Sequence, residues 1–412
     1  MRCAPQILAI LSLSAAFPSA AEEPDYTDLD APEHRYWERE LRDPFTQFAK
    51  KVASGEVRLE AGGELPFLRS LFSALDVPAS SQMLVFSTTS LQLSLISPRN
   101  PRAIYFNEDL YVGFIPGGKI EIVSIDPELG GIFYIFDIPR NSRAIAPERS
   151  DRCMNCHAKP SIGGVPGLTI KSVTPGPNGG SLESYRQGDF GHAVPLAERF
   201  GGWHVTGEGG LRDHKGNKTG RLFQGKLTTF PTLPGEQSNL DRYPVPTSDL
   251  LPHLLFEHQI GFSARCVEAG YRARTYWRAG GGKLRPEHRD LLKDKASDLV
   301  SYLLFAGEAP LPEGGVSGQA EYKEAFASRK IADPAGRSLR DLDLRGHLFK
   351  YRCSYMIYSN AFQGLPDWFR AEVVRQLKAA LDPAADAPAS RHLPPDERKA
   401  IAEILAATLD GW

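Results

Sequence analysis

Cys153-Met154-Asn155-Cys156-His157 sets two thiols and an imidazole in the spacing CxxCH. Two cysteines three positions apart lie on one side of a helical turn. Each can form a thioether with a haem vinyl, while the imidazole that follows reaches the iron. Cys153 and Cys156 are therefore the expected anchors of one covalent haem c, and His157 its axial ligand. With 5 Cys and 10 His in 412 residues, the motif is expected only about 0.0015 times by chance. A zinc site needs a second ligand pair, and Cys266 and Cys353 stand alone downstream. A thioredoxin-like pair needs a surrounding βαβ pattern, which this stretch lacks.

The sixth position on the iron separates electron carriage from enzymology. Small cytochromes c use a Met some tens of residues past the motif, but here no Met falls between Met154 and Met356. Histidine is the better class of candidate. His258 comes first, because Leu251, Leu254, Leu255, His258 and Phe262 recur at helical spacing and define an inward face. It is expected either to ligate the metal or to serve as a distal acid/base beside an open iron. His192 and His214 sit in Gly-flanked polar stretches, and His204 follows Trp203 in a short strand. His192 and His204 join His258 as candidate catalytic groups. The bland alternatives are a core hydrogen bond for His258 and solvated loops for His192 and His214, while His204 in its strand is placed to line a pocket. Arg140, Arg143, Arg149 and Arg152 precede the motif. A guanidinium can grip a haem propionate bidentately, and Arg152, next to Cys153, is the expected contact.

The N-terminus reads as an export signal occupying residues 1–21: Met1-Arg2, the apolar run 7–17, then Pro18-Ser19-Ala20-Ala21. Haem c attachment belongs to exported proteins, so the expected location is the periplasm. No later run approaches the roughly 18 apolar residues of a membrane span. Cys3 leaves with the leader, and in an oxidising compartment Cys266 and Cys353 are expected to form a disulfide. A net charge of -2 names no partner, and nothing reads as a nucleic-acid surface. Gly220 to Lys226 fits GxxxxGK, but Leu227 replaces the magnesium-binding Ser/Thr and no strand-to-helix context surrounds it.

Several elements must position the motif. Helical spacing covers 36–52 and 66–75. From Met83 the pattern turns to strands at 84–86, 103–106, 110–114, 119–125 and 132–136, divided by Asn107-Glu108-Asp109, Pro116-Gly117-Gly118 and 126–131. Those turns predict an antiparallel meander with the CxxCH after it. The chain is then Gly-rich and irregular to about Tyr243, with one short strand at 202–206. Helices are expected at 249–278, 286–305, 319–329, 366–381 and 394–409. The predicted fold is α+β: a sheet-bearing haem region over 22–243 and a helical C-terminal region over 244–412 that packs on it.

The segments PRAIYFNEDLYVGFIPGG, CxxCH, PLAERFGGWHVTG, HKGN, FEHQ and LFKYRCSYMIYS occur in this order. In this the chain resembles a family of exported bacterial proteins with a single CxxCH, described only as cytochrome c-like. The likeness covers roughly residues 80–380 and implies a haem c protein of unusual fold, without an activity. Where His204 stands, that family carries an aromatic such as Tyr. Di-haem cytochrome c peroxidases carry two CxxCH motifs, and this chain has one. The reading is a periplasmic monohaem cytochrome in electron transfer to a partner protein. The alternative is a haem oxidoreductase, peroxidase-like or other, working on a small molecule.

Overall fold

Asp43 and Pro44 decide where the first helix starts. The Asp43 carboxylate accepts from the Thr46 amide at 3.0 Å and Pro44 fixes the backbone at the first helical position, so α1 runs Pro44–Ala53. Residues 36–42, expected to be helical, instead form a turn at 36–38 and irregular chain ahead of this cap. The computed structural model describes residues 23–140, 144–185, 190–207 and 211–412. The expected leader with Cys3, and Arg143, lie outside the described residues.

After α2 (Glu64–Leu75) come β1 (Met83–Val85), β2 (Arg102–Phe106), β3 (Leu110–Phe114), β4 (Ile120–Asp126), β5 (Gly130–Phe136) and β6 (Glu148–Arg149). They form the meander expected from the turn residues, with Ile120↔Phe136 to Asp126↔Gly130 as its longest register. A single turn, α3 (Met154–His157), follows β6. The segment expected to be irregular holds more order than its glycines suggest, with a hairpin of β7 (Val173–Pro175) and β8 (Ser181–Ser184), while β9 (Trp203–His204) falls within the short strand expected at 202–206. A second hairpin joins β10 (Lys218–Phe223) to β11 (Lys226–Pro231). β9 returns to pair antiparallel with β1, giving a seven-stranded antiparallel sheet in the order β6-β5-β4-β3-β2-β1-β9.

Both faces of this sheet are covered, so its strands read as nearly continuous apolar runs. Tyr105, Val112, Ile122 and Tyr134 face α1 and α2. Ile104, Phe106, Tyr111 and Ile125 face the C-terminal helices. Alternation puts Phe133 on this second face.

The C-terminal half is helical: α4 (Leu250–Ala279), α5 (Pro286–Leu303), α6 (Ala320–Ser328), α7 (Asn360–Gln363), α8 (Asp367–Leu381) and α9 (Pro395–Thr408). The molecule is thus mixed α/β, with nine helices among the described residues. In α4 every residue from Leu250 to Ala264 is buried. The single inward face read around His258 is therefore an underestimate, because the helix is enclosed on all sides. Gly261 permits this enclosure: a Cβ there would lie 2.1 Å from the Tyr302 hydroxyl and 2.9 Å from the Gly191 Cα. One continuous core joins α4 to the sheet. Cys266 and Cys353 both lie in it as free buried thiols, so the expected disulfide is not formed. Burial raises both thiol pKa values, as suits small apolar groups of a core. None of the described helices is long and apolar enough to cross a membrane.

Candidate functional site

The CxxCH segment is delivered by the sheet. β6 pairs with β5 through Tyr134↔Arg149, and the Ser150 amide donates to the Phe133 carbonyl at 3.0 Å. Arg149 pins this approach from the other side. It donates to the Tyr36 carbonyl at 2.6 Å and stacks over the Tyr36 and Trp37 rings at 4.4 and 4.8 Å. A tight turn over Asp151–Cys153 leads directly into α3, so Cys153 caps the single helical turn that carries Cys156 and His157. Cys156 is exposed and Cys153 half-buried, both as free thiols. Burial raises the Cys153 pKa, and a hydrogen bond with Ser150 opposes the rise.

His157 is oriented by the loop after it. The Pro166 carbonyl accepts from the Gly131 amide of β5 at 3.0 Å, docking the loop on the sheet. The Gly167 amide donates to the His157 carbonyl at 2.9 Å, and His157 Nδ1 donates to the Gly167 carbonyl at 2.8 Å. A carbonyl can only accept, so Nδ1 carries the ring proton and Nε2 is left with its lone pair. Phe133 supports the imidazole, its ring centroid 4.7 Å away. Burial brings the imidazole down to about 4, against the pull of the Gly167 bond, so the ring is neutral at pH 7. A neutral imidazole whose Nδ1 is held by a carbonyl and whose Nε2 is bare suits a metal ligand. Two accessible thiols on the adjoining turn suit covalent attachment of a haem.

Arg102 and Glu121 were not singled out in the sequence, yet both act on His157. The Arg102 charge lowers its pKa and the Glu121 charge raises it. Arg102 pairs with Glu121 at 2.7 Å, and Gln92 Nε2 donates to the same carboxylate at 3.0 Å. The guanidinium lies across β3 where Gly113 makes room, since a Cβ there would meet Arg102 Nη2 at 2.6 Å. A charged residue opening the apolar run Arg102–Phe106, paired across the sheet with another in Ile120–Asp126, was the available signal. Arg152, the expected propionate contact, is exposed, as is Arg140.

His192 and His258 do come together. Their Nδ1 atoms are 2.8 Å apart, and His258 Nε2 is 2.6 Å from Ser354 Oγ. Tyr302 and Phe305 stack against both rings. His192 is thus no solvated loop residue, and both ring nitrogens of His258 already have partners. His204 lies apart from this pair, buried on β9 with its ring centroid 4.5 Å from that of Phe86. Met83 and Met356 are fully buried in the core around α4.

Burial lowers His34, His192 and His253 to about 3. Between pH 6.5 and about 3 the unfolded chain binds protons that the folded chain refuses. The stability these groups contribute above pH 6.5 is therefore lost as pH falls. Asp109, raised by burial to about 7, works in the opposite sense over part of this window. Asp249 and Glu308 are raised as well, but eight of the ten histidines are lowered against these three carboxyls, so the histidines dominate. The thermal midpoint should fall on moving from pH 7 to pH 5, and scanning calorimetry at the two values checks it; an unchanged or higher midpoint at pH 5 contradicts it.

Compared with known proteins, the chain matches no protein-family model, no curated protein and no solved structure.

Proposed function

We propose that this chain is an exported monohaem c-type cytochrome working in electron transfer, with haem joined to Cys153 and Cys156 and ligated by His157. The observation that carries the reading is the bond from His157 Nδ1 to the Gly167 carbonyl, which leaves Nε2 bare beside two accessible thiols. Bound haem supplies one-electron chemistry. The protein supplies attachment at the two thiols, orientation of the imidazole through Gly167, and packing by Phe133. Arg102 and Glu121 set the local field, and Arg102 joins Arg152 as an arginine able to act on a haem there. Export rests on the leader pattern in residues 1–21.

A second reading, a haem oxidoreductase, draws support from one cleft of about 500 Å³. It lies between the loop that follows the motif (Ser161, Gly163) and Arg265, Glu268 and Lys295 of α4 and α5. Absorption spectra of the purified protein, oxidised and reduced, with and without carbon monoxide, separate the two. An electron carrier is low-spin and its ferrous form does not change with carbon monoxide. A spectrum that is high-spin and shifts with carbon monoxide selects the enzyme, and a protein without a haem spectrum defeats both.

A further inference from the structure

The segment 214–235 (HKGNKTGRLFQGKLTTFPTLPG) contains Lys215, Lys218, Arg221 and Lys226 and no Asp or Glu. Residues 218–231 of it fold as the β10–β11 hairpin, in the register Phe223↔Lys226, Arg221↔Thr228 and Thr219↔Phe230. Gln224 (φ 48) and Gly225 (φ 78) both adopt the left-handed conformation, the geometry of the tight two-residue turn that matches strand twist. One face of the hairpin lies on the β7–β8 hairpin, since a Cβ on Gly220 would meet Thr174 at 2.6 Å and Leu182 at 3.3 Å. Alternation sends Arg221, Phe223, Lys226 and Phe230 to the opposite face. That face is open: Phe223 is 74% exposed and Phe230 is exposed, and at the tip Leu222 is 61% exposed. Among the described residues Lys218, Arg221 and Lys226 form no ion pair with a carboxylate.

We infer that this hairpin is a membrane-surface anchor, and that its occupant is an anionic phospholipid headgroup layer. Leu222 and Phe223 stand beside the turn, Lys226 lies across from Phe223, and Arg221 is two residues behind it on the same face. An interface between acyl chains and headgroups accepts both: aromatic and aliphatic groups below the phosphates, and long cationic side chains whose heads reach back to them. Exposed Phe and Leu cost free energy in water, and the hairpin's three cations, Lys218, Arg221 and Lys226, carry no carboxylate partner and favour an anionic surface. A flat or concave protein partner would call for a broad face with a polar rim, whereas this one is a tip. The GxxxxGK pattern of 220–226 thus belongs to a hairpin turn. The inference is independent of the haem assignment and holds for either reading of the function.

The test is cosedimentation of the purified full chain with vesicles of phosphatidylcholine alone or with about 30% phosphatidylglycerol. Binding is expected to the anionic vesicles, and to fall steeply in about 0.5 M salt as the charges are screened. The tip variant L222S/F223S should bind about tenfold more weakly or worse. The charge variant R221E/K226E should lose its preference for phosphatidylglycerol. Both alter exposed side chains, and circular dichroism checks their folding; if one fails to fold, the other carries the test. The proposal is overturned if the wild type stays in the supernatant with anionic vesicles, or if both variants bind as the wild type does. It is overturned equally if light scattering shows a dimer that the tip variant dissociates, because the tip then faces a second copy.

Discussion

Changing both Cys153 and Cys156 to alanine should abolish covalent haem, the largest change expected for any substitution in this protein. Protein exported with haem-attachment machinery should exceed its apo mass by one haem, and the haem should survive acid-acetone extraction. The double variant should have the apo mass and no haem peak in the reduced pyridine spectrum. Thioethers are covalent, so the effect is all or none rather than a shift in affinity. Each single variant keeps one thiol on the same turn and should retain a fraction with one thioether, at a shifted absorption maximum. The geometry makes the singles informative: Cys156 is exposed and Cys153 half-buried against the end of β6. Cys156→Ala should therefore perturb folding less. Wild-type protein that loses all colour to acid-acetone, or that holds one equivalent of zinc instead, would falsify the haem reading outright.

Period and punctuation were enough to read the sheet. Asn107-Glu108-Asp109 and Pro116-Gly117-Gly118 stand where β2, β3 and β4 turn, and no long-range information is needed to find them. The short strand at 202–206 was read, but its place at the sheet edge was not, because the pairing of β9 with β1 joins residues more than a hundred positions apart and only two residues of β9 take part. The β10–β11 hairpin was hidden by its turn. Gln224 takes the left-handed conformation usually signalled by Asn, Asp or Gly, so only Gly225 announced it. Within the site, Cys153, Cys156 and His157 were legible as a fixed local spacing. Gly167 was not, since its role is that of a backbone carbonyl, which any residue possesses. The same limit explains His192: its glycine neighbours suggested an open loop, and only tertiary packing shows that Gly191 allows a close approach to α4. The cysteine count supported a disulfide between Cys266 and Cys353, but parity says nothing about distance. A buried thiol fits the same count.

His258→Ala should lower stability by about 2–4 kcal/mol while leaving the visible spectrum of the haem protein unchanged. The stability loss has three sources. The side chain is fully buried, so its removal leaves a cavity among Tyr302, Phe305 and Ser354. His192 Nδ1 loses its partner at 2.8 Å, and His192 Nε2 has none already, so an imidazole is left buried without a hydrogen bond. Ser354 Oγ keeps only the Met356 amide at 3.2 Å. The unchanged spectrum follows because neither nitrogen of His258 is free: Nδ1 faces His192 and Nε2 faces Ser354. Denaturant melts of wild type, His258→Ala, His192→Ala and the double variant form a cycle whose coupling reads the Nδ1–Nδ1 bond. A coupling of about 1 kcal/mol or more is expected for two such groups in contact. The opposite result is equally specific. If His258→Ala turned a low-spin haem high-spin and opened the ferrous iron to carbon monoxide, with little loss of stability, His258 would be the distal ligand. The bonds to His192 and Ser354 would then belong to the haem-free chain alone.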